Sequence, residues 1–178
     1  MPGGDRNVAA RGDPALHLLC ARALVAAGDR AGAATHFLHA EAPVAFAQMV
    51  VAWANDGYTR ERDLFLARSV LQLCCLGNLR DANIFRSTFL RLCARDGGGG
   101  LDSPLCNFVE FLLLTLERDA EGLFKILVDK YAPSLARDPS LRVYVQQIGA
   151  LFYGIKPRET GMEALMSSMM GMLGGGGG

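Results

Sequence analysis

Along most of this chain apolar side chains recur at intervals of three and four residues, the spacing that gathers them on one face of an α-helix. The densest run, 105–116, reads Leu-Cys-Asn-Phe-Val-Glu-Phe-Leu-Leu-Leu-Thr-Leu and follows Ser103 and Pro104. A serine hydroxyl accepts a hydrogen bond from the free amides of a first turn, and proline suits the first helical position because its missing N–H would have no partner there. The pair therefore marks a helix start. Phe108, Phe111, Leu112 and Leu116 form one stripe, and Val109, Leu113 and Leu114 widen it, so neighbours are expected on several sides. A membrane span needs roughly 20 apolar residues. This run is much shorter and is closed by Glu117, Arg118 and Asp119, which predicts a buried helix in a soluble helical stack.

The same reading extends over the rest of the chain. Asp13-Pro14 opens a helix over 15–27 with Leu16, Leu19, Ala23 and Ala26 on one face, stopped by Gly28. After the Gly28-Asp29 turn, 30–40 returns as a second helix, with small Ala31, Gly32 and Ala34 and larger Phe37 and Leu38, making a helical hairpin. Pro43 opens 43–55, and Asn55-Asp56-Gly57 supplies a turn. Thr59 is the expected cap of 60–76, which Gly77-Asn78 closes; 79–93 is its antiparallel partner, with Ala82, Phe85, Phe89 and Leu92 inward and Arg80, Asp81, Arg86 and Arg91 towards solvent.

The glycines of 97–100 predict a flexible loop. Beyond the central run, 120–131 aligns Leu123, Phe124, Leu127 and Tyr131, and Pro133 prevents simple continuation. Asp138-Pro139 launches 140–153, whose apolar face is Leu141, Tyr144, Ile148, Leu151 and Phe152, ended by Gly154 and Pro157. In the tail Met162, Leu165, Met166, Met169 and Leu173 share a face of a marginal helix weakened by Gly161 and Gly171.

No strand alternation appears. Antiparallel helices joined by short turns, in a degenerate repeat of uneven pair length, predict an all-α fold: a tetratricopeptide-like α-solenoid in which each pair needs the next to cover its apolar face. The expected organisation is a flexible lead-in over 1–12, the α-solenoid domain over 13–157, and a Met/Gly-rich flexible tail over 158–178.

Composition narrows the function. Of 178 residues 51% are hydrophobic, enough for a folded core, and Lys plus Arg balances Asp plus Glu at 18 each. No global positive field gathers nucleic acid or an anionic bilayer, so neither is an expected partner. The five cysteines lie in apolar helical runs without C-x-x-C spacing, and the first dozen residues contain no secretory core, so buried thiols in a reducing cytosol are expected.

Candidate chemistry is sparse. His36 and His39 are close enough on a helix to share a metal, with Glu41 nearby, but no metal signature supports them and a structural or surface role is the simpler reading. The neighbours Cys74 and Cys75 point about 100 degrees apart with no histidine in local reach, so core packing outweighs nucleophilic chemistry. The 97–100 glycines lack a phosphate-loop pattern. The charged run 60–63 reads as a solvated face. No nucleophile, base and orienting group assemble, so an enzyme is not expected and no cofactor or metal is implied.

The aromatic and aliphatic excess after Ser103 suits either a core or a groove for a partner segment, and the candidate partner-binding residues are Phe108, Phe111, Leu112, Phe124, Leu127, Tyr131, Tyr144, Ile148, Leu151 and Phe152. The methionines of the tail offer a deformable face, or simply fray.

Three blocks carry a family resemblance. The first runs from His36-Phe-Leu-His to Trp53. The second runs from Asp63-Leu-Phe-Leu-Ala-Arg-Ser-Val-Leu-Gln to Asn83-Ile-Phe. The third joins Asn107-Phe-Val-Glu-Phe-Leu-Leu-Leu to Tyr131-Ala-Pro-Ser-Leu-Ala-Arg-Asp-Pro and Ile148-Gly-Ala-Leu-Phe-Tyr-Gly. In order and spacing they resemble the Golgi-to-ER-traffic protein four family, the helical scaffold of tail-anchored membrane protein targeting. The resemblance implies a cytosolic, non-enzymatic α-solenoid whose C-terminal half holds a ubiquitin-like-domain protein or a Bag-six-type protein, and whose N-terminal helices dock a targeting ATPase. Against the family's usual length the chain is expected to be the C-terminal portion, without several of those N-terminal helices. The alternative expectation is a generic tetratricopeptide-like adaptor for an unrelated peptide.

Overall fold

A computed structural model describes residues 12–95 and 101–156. The expected lead-in apart from Gly12, the 97–100 loop and the Met-rich tail lie outside the described residues. Among the described residues there is no strand; the helices are α1 (Pro14–Ala26), α2 (Arg30–Phe37), α3 (Pro43–Asn55), α4 (Arg62–Cys75), α5 (Leu79–Arg95), α6 (Pro104–Glu117), α7 (Glu121–Lys130), the short α8 (Ala132–Leu135) and α9 (Pro139–Tyr153).

The cap-and-proline signatures start the helices they predict. Asp13, Ser103 and Asp138 accept from the backbone amides of Ala15 (2.8 Å), Cys106 (3.3 Å) and Ser140 (2.8 Å). Asp29 likewise accepts from Gly32 at 2.9 Å, and a Cβ on Gly32 would lie 2.4 Å from the Asp29 carboxylate, so the glycine admits the cap. Two boundaries differ from the sequence reading. α2 stops at Phe37 rather than running to residue 40; Glu41 then turns the chain with φ 49°, and Ala42, which precedes Pro43, is kept out of helical geometry. Thr59 does not cap α4: it opens a 3-10 turn, Thr59–Glu61, and Glu61 occupies the N-cap without a side-chain hydrogen bond.

α1 and α2 form a hairpin, α3 packs on α5, and α4 packs on α5 and α6, so helices two apart stack as layers of an α-solenoid. A chain of rings holds the first layers together: Phe37 lies 5.5 Å from Phe46, Phe46 is 4.8 Å from Phe85, and Phe85 is 5.9 Å from Phe89. Further along, Leu66, Leu71, Leu105, Phe108, Leu112, Leu141 and Ile148 are fully buried. α9 turns back and lies on α4.

That return is stitched by polar contacts spaced along α4. Arg137, just before α9, donates to both oxygens of Asp63 at 2.5 and 3.1 Å. Arg68 pairs with Asp138 at 2.5 Å, Gln72 donates to the Tyr144 hydroxyl at 3.1 Å, and the Cys75 thiol donates to the Tyr144 carbonyl at 3.5 Å. Burial alone would push the Asp138 carboxyl up, but hydrogen bonds from Arg68 and Ser140 outweigh it and hold it below its ordinary range.

The 60–63 run is thus not a solvated face throughout: Arg62 and Asp63 are buried, and Arg62 donates to Asn55 at 2.8 Å. Asp81 is buried as well, exchanging hydrogen bonds with Asn78 at the head of α5. Conversely, Leu16 and Leu19 of α1 are exposed, so the stripe read there faces outward. Among the cysteines Cys74, Cys93 and Cys106 are buried, Cys75 is half-buried, and Cys20 is exposed.

Candidate partner-binding site

The candidate residues after Ser103 divide by neighbour. Phe108, Leu112, Phe124, Leu127 and Ile148 are buried in the core and are covered by their own chain. Phe108 packs 5.7 Å from Tyr131, and Phe124 packs 5.2 Å from Tyr153. Tyr144 is half-buried and tied to α4 through Gln72, and Phe152 is half-buried beside Tyr153. Only Phe111 and Leu151 of the ten are exposed. A partner face drawn through all ten does not exist as one surface.

What does exist is a groove between α6 and α7. α7 is ten residues long and carries Leu123, Phe124, Ile126, Leu127 and Val128, too many apolar positions for one packed face. Phe124 and Leu127 turn into the core, which leaves Leu123 (57% exposed) and Ile126 (64%) on the outside, opposite Phe111 (48%) and Leu114 on α6. Thr115, Leu127 and Tyr131 form the remaining wall of a cavity of ≈ 290 Å³, with Arg118 and Lys130 on its rim. Thr115 offers little polarity there, since its hydroxyl donates to the Phe111 carbonyl at 2.6 Å within its own helix. The groove is apolar inside and cationic at its edge, which suits an apolar segment with acidic flanks. Sequence reasoning missed Leu114, Leu123 and Ile126 as candidates; the excess of apolar positions on a helix as short as α7 was the available signal.

The other candidate chemistry is placed as follows. His17, a residue the spacing argument did not single out, joins His36 and His39: its Nδ1 lies 3.0 Å from Nδ1 of His36, and its ring centroid is 5.1 Å from each of the other two. Among the described residues, however, no group of three or more His, Cys, Asp or Glu side chains is disposed to hold a metal ion. Burial, reinforced by the neighbouring Cys75, pushes the Cys74 thiol far up, and burial holds Cys75 up at about 11, so both stay protonated and unreactive near neutrality.

The family model described as "Golgi to ER traffic protein 4" matches residues 5–173. This chain belongs to the Golgi to ER traffic protein 4 family. Relatives named "Golgi to ER traffic protein 4 homolog" include one from Dictyostelium discoideum, 36% identical over 98% of this chain and 54% of its own length. Those of Oryzias latipes and Homo sapiens are 37% and 34% identical over 90% of this chain and 52% and 51% of theirs. Among solved structures, the crystal structure of Get4 from C. therm. matches with a TM-score of 0.77 at 28% identity, covering 93% of this chain and 57% of that one. The chain spans about half the length of the curated relatives it matches. The helical solenoid is the architecture it shares with Get4. No helix among the described residues is long and apolar enough to cross a membrane.

Proposed function

We propose that this member of the Golgi to ER traffic protein 4 family is a non-enzymatic cytosolic scaffold in the targeting of tail-anchored membrane proteins, and that its α6–α7 groove holds an apolar segment of a ubiquitin-like-domain or Bag-six-type partner. In that role it links the partner to a targeting ATPase. The observation that supports the reading is the groove itself: Phe111, Leu114, Leu123 and Ile126 converge on one cleft while staying exposed, and Arg118 and Lys130 flank it. Apolar side chains concentrated in one rimmed cleft mark interaction sites, and a cleft between two helices accepts an amphipathic segment through anchors at helical spacing.

The test is the affinity of the purified ubiquitin-like partner for Leu123→Asp and Ile126→Asp variants, measured by calorimetry. Both side chains lie outside the core, so stability should stay within about 0.5 kcal/mol of the parent. Binding is expected to weaken at least tenfold, and unchanged affinity in both variants would remove the groove from the interface. Equal binding of unrelated apolar peptides would instead favour a generic adaptor.

A further inference from the structure

The two ends of the α6–α7 groove are both cationic. Arg118, Asp119 and Ala120 alone join α6 to α7, and so short a link sets two packed helices running in opposite directions. On α6 the lining runs from Phe111 to Arg118, and on α7 from Leu123 to Lys130, in each case about 10.5 Å or two helical turns. Each cation closes the stretch on its own helix, so the opposed directions put Arg118 at the link end and Lys130 at the far end. Among the described residues no carboxylate lines the groove. Neighbouring acids are engaged elsewhere: Glu117 accepts from Asn83 at 2.8 Å, and Glu121 accepts from Lys125 at 2.6 Å. At ≈ 290 Å³ the cleft lies below the roughly 300–1,000 Å³ of small-molecule pockets, so it suits the side chains of a peptide.

We propose that the occupant of this groove is a partner helix with carboxylates at positions i and i+7 and large apolar side chains at i+3 and i+4, and that Arg118 and Lys130 select it. The proposal rests on the reading of the groove as a partner site and adds what the partner must carry. Positions i, i+3, i+4 and i+7 share one helical face. From i to i+7 such a helix rises about 10.5 Å, the same two turns that separate the cations along the groove. A carboxylate at each end then meets a cation, while the middle pair reaches Phe111, Leu114, Leu123 and Ile126, which are exposed. A segment with basic ends would bring like charges together, and one with neutral ends would leave both cations unanswered. Arg118 can grip its carboxylate with two parallel hydrogen bonds, whereas Lys130 acts as a point charge. The pattern is the same read in either direction, so the fit does not depend on which way the partner helix runs.

The test uses the full chain and three fluorescein-labelled, alanine-based helical peptides, each with leucines at i+3 and i+4, followed by fluorescence anisotropy. The first peptide has glutamates at i and i+7, the second has lysines there, and the third has glutamates at i and i+5, which takes one acid off the face. The parent should bind the first at least about tenfold more tightly than the second and about threefold more tightly than the third. Added salt should shrink the preference. The double variant Arg118→Glu, Lys130→Glu should invert it, and both side chains are exposed, so the fold is kept. Equal binding of the three peptides by the parent, no measurable binding of the first, or a double variant that still prefers glutamates would each overturn the proposal. Leu123→Asp separates this from the groove itself. Loss of all peptide binding in that variant, with no discrimination by the parent, overturns the charge selection and leaves the groove in place. Discrimination that survives Leu123→Asp unchanged puts the peptide elsewhere and overturns both.

Discussion

The Asp63–Arg137 pair is asymmetric, and the asymmetry predicts how its two halves respond to mutation. The Asp63 side chain is 2% exposed, whereas Arg137 retains 39% exposure. Arg137→Met keeps the aliphatic stem and removes the charge, which strands a buried carboxylate; breaking a buried pair from this side costs about 3–5 kcal/mol. Asp63→Asn leaves a guanidinium that already reaches water and can rehydrate, and the amide oxygen still accepts one of the two hydrogen bonds, so about 1–2 kcal/mol is lost. The double variant Asp63→Leu, Arg137→Met removes both charges and should recover most of the first loss. With a urea m-value of about 2 kcal/mol/M, Arg137→Met lowers the unfolding midpoint by about 1.5–2.5 M and Asp63→Asn by about 0.5–1 M. Urea titration followed by circular dichroism reads both. If Asp63→Asn proves as costly as Arg137→Met, a stranded carboxylate is not what makes the contact matter.

Three further outcomes follow from neighbouring features. Gly122 of α7 has open space where a Cβ would stand, so Gly122→Ala should gain roughly 0.5 kcal/mol of helix propensity in the same titration, while Gly149→Ala gains less or loses because the Phe124 ring is 3.1 Å away. Equal gains would contradict the packing described at Gly149. Burial holds Cys75 at about 11 against an ordinary 9.0, so between those values the unfolded chain releases a proton that the native state keeps. Stability should therefore fall as pH rises from 9 to 11, with Cys74 and Cys106 pushing the same way; a urea midpoint that rises over this window would refute the assignment. Finally, a thiol reagent at pH 8 should modify exposed Cys20 first, Cys75 slowly, and Cys74, Cys93 and Cys106 only on unfolding, as followed by mass spectrometry.

Helix positions were legible in the sequence because their signals are local. Pro43 and Asn55 bracket α3, and Ser103-Pro104 starts α6, as the pattern requires. Which apolar stripe would be covered was less legible. The 3.6-residue period says that Leu16 and Leu19 share a face, yet only the rest of the stack decides whether that face is buried, and here it is not. The same limit explains the charged run: nothing near Arg62 and Asp63 in sequence announces that Arg137, seventy-four residues on from Asp63, comes back to meet it. The candidate partner residues mixed core and surface for this reason, since Phe108 and Phe111 look alike until α8 and α9 are in place. His17 joins the other histidines only through the α1–α2 hairpin, a contact across nineteen positions.

The α4–α9 seam has a consequence for how the molecule is made. During synthesis α4 leaves the ribosome long before Arg137 has been added, so the Asp63 carboxylate must stay hydrated and this side of α4 must wait. A nascent product halted anywhere between the two residues holds half of a clasp, with the side of α4 that α9 later packs on still uncovered. Closure therefore comes late, timed by the translation of α9.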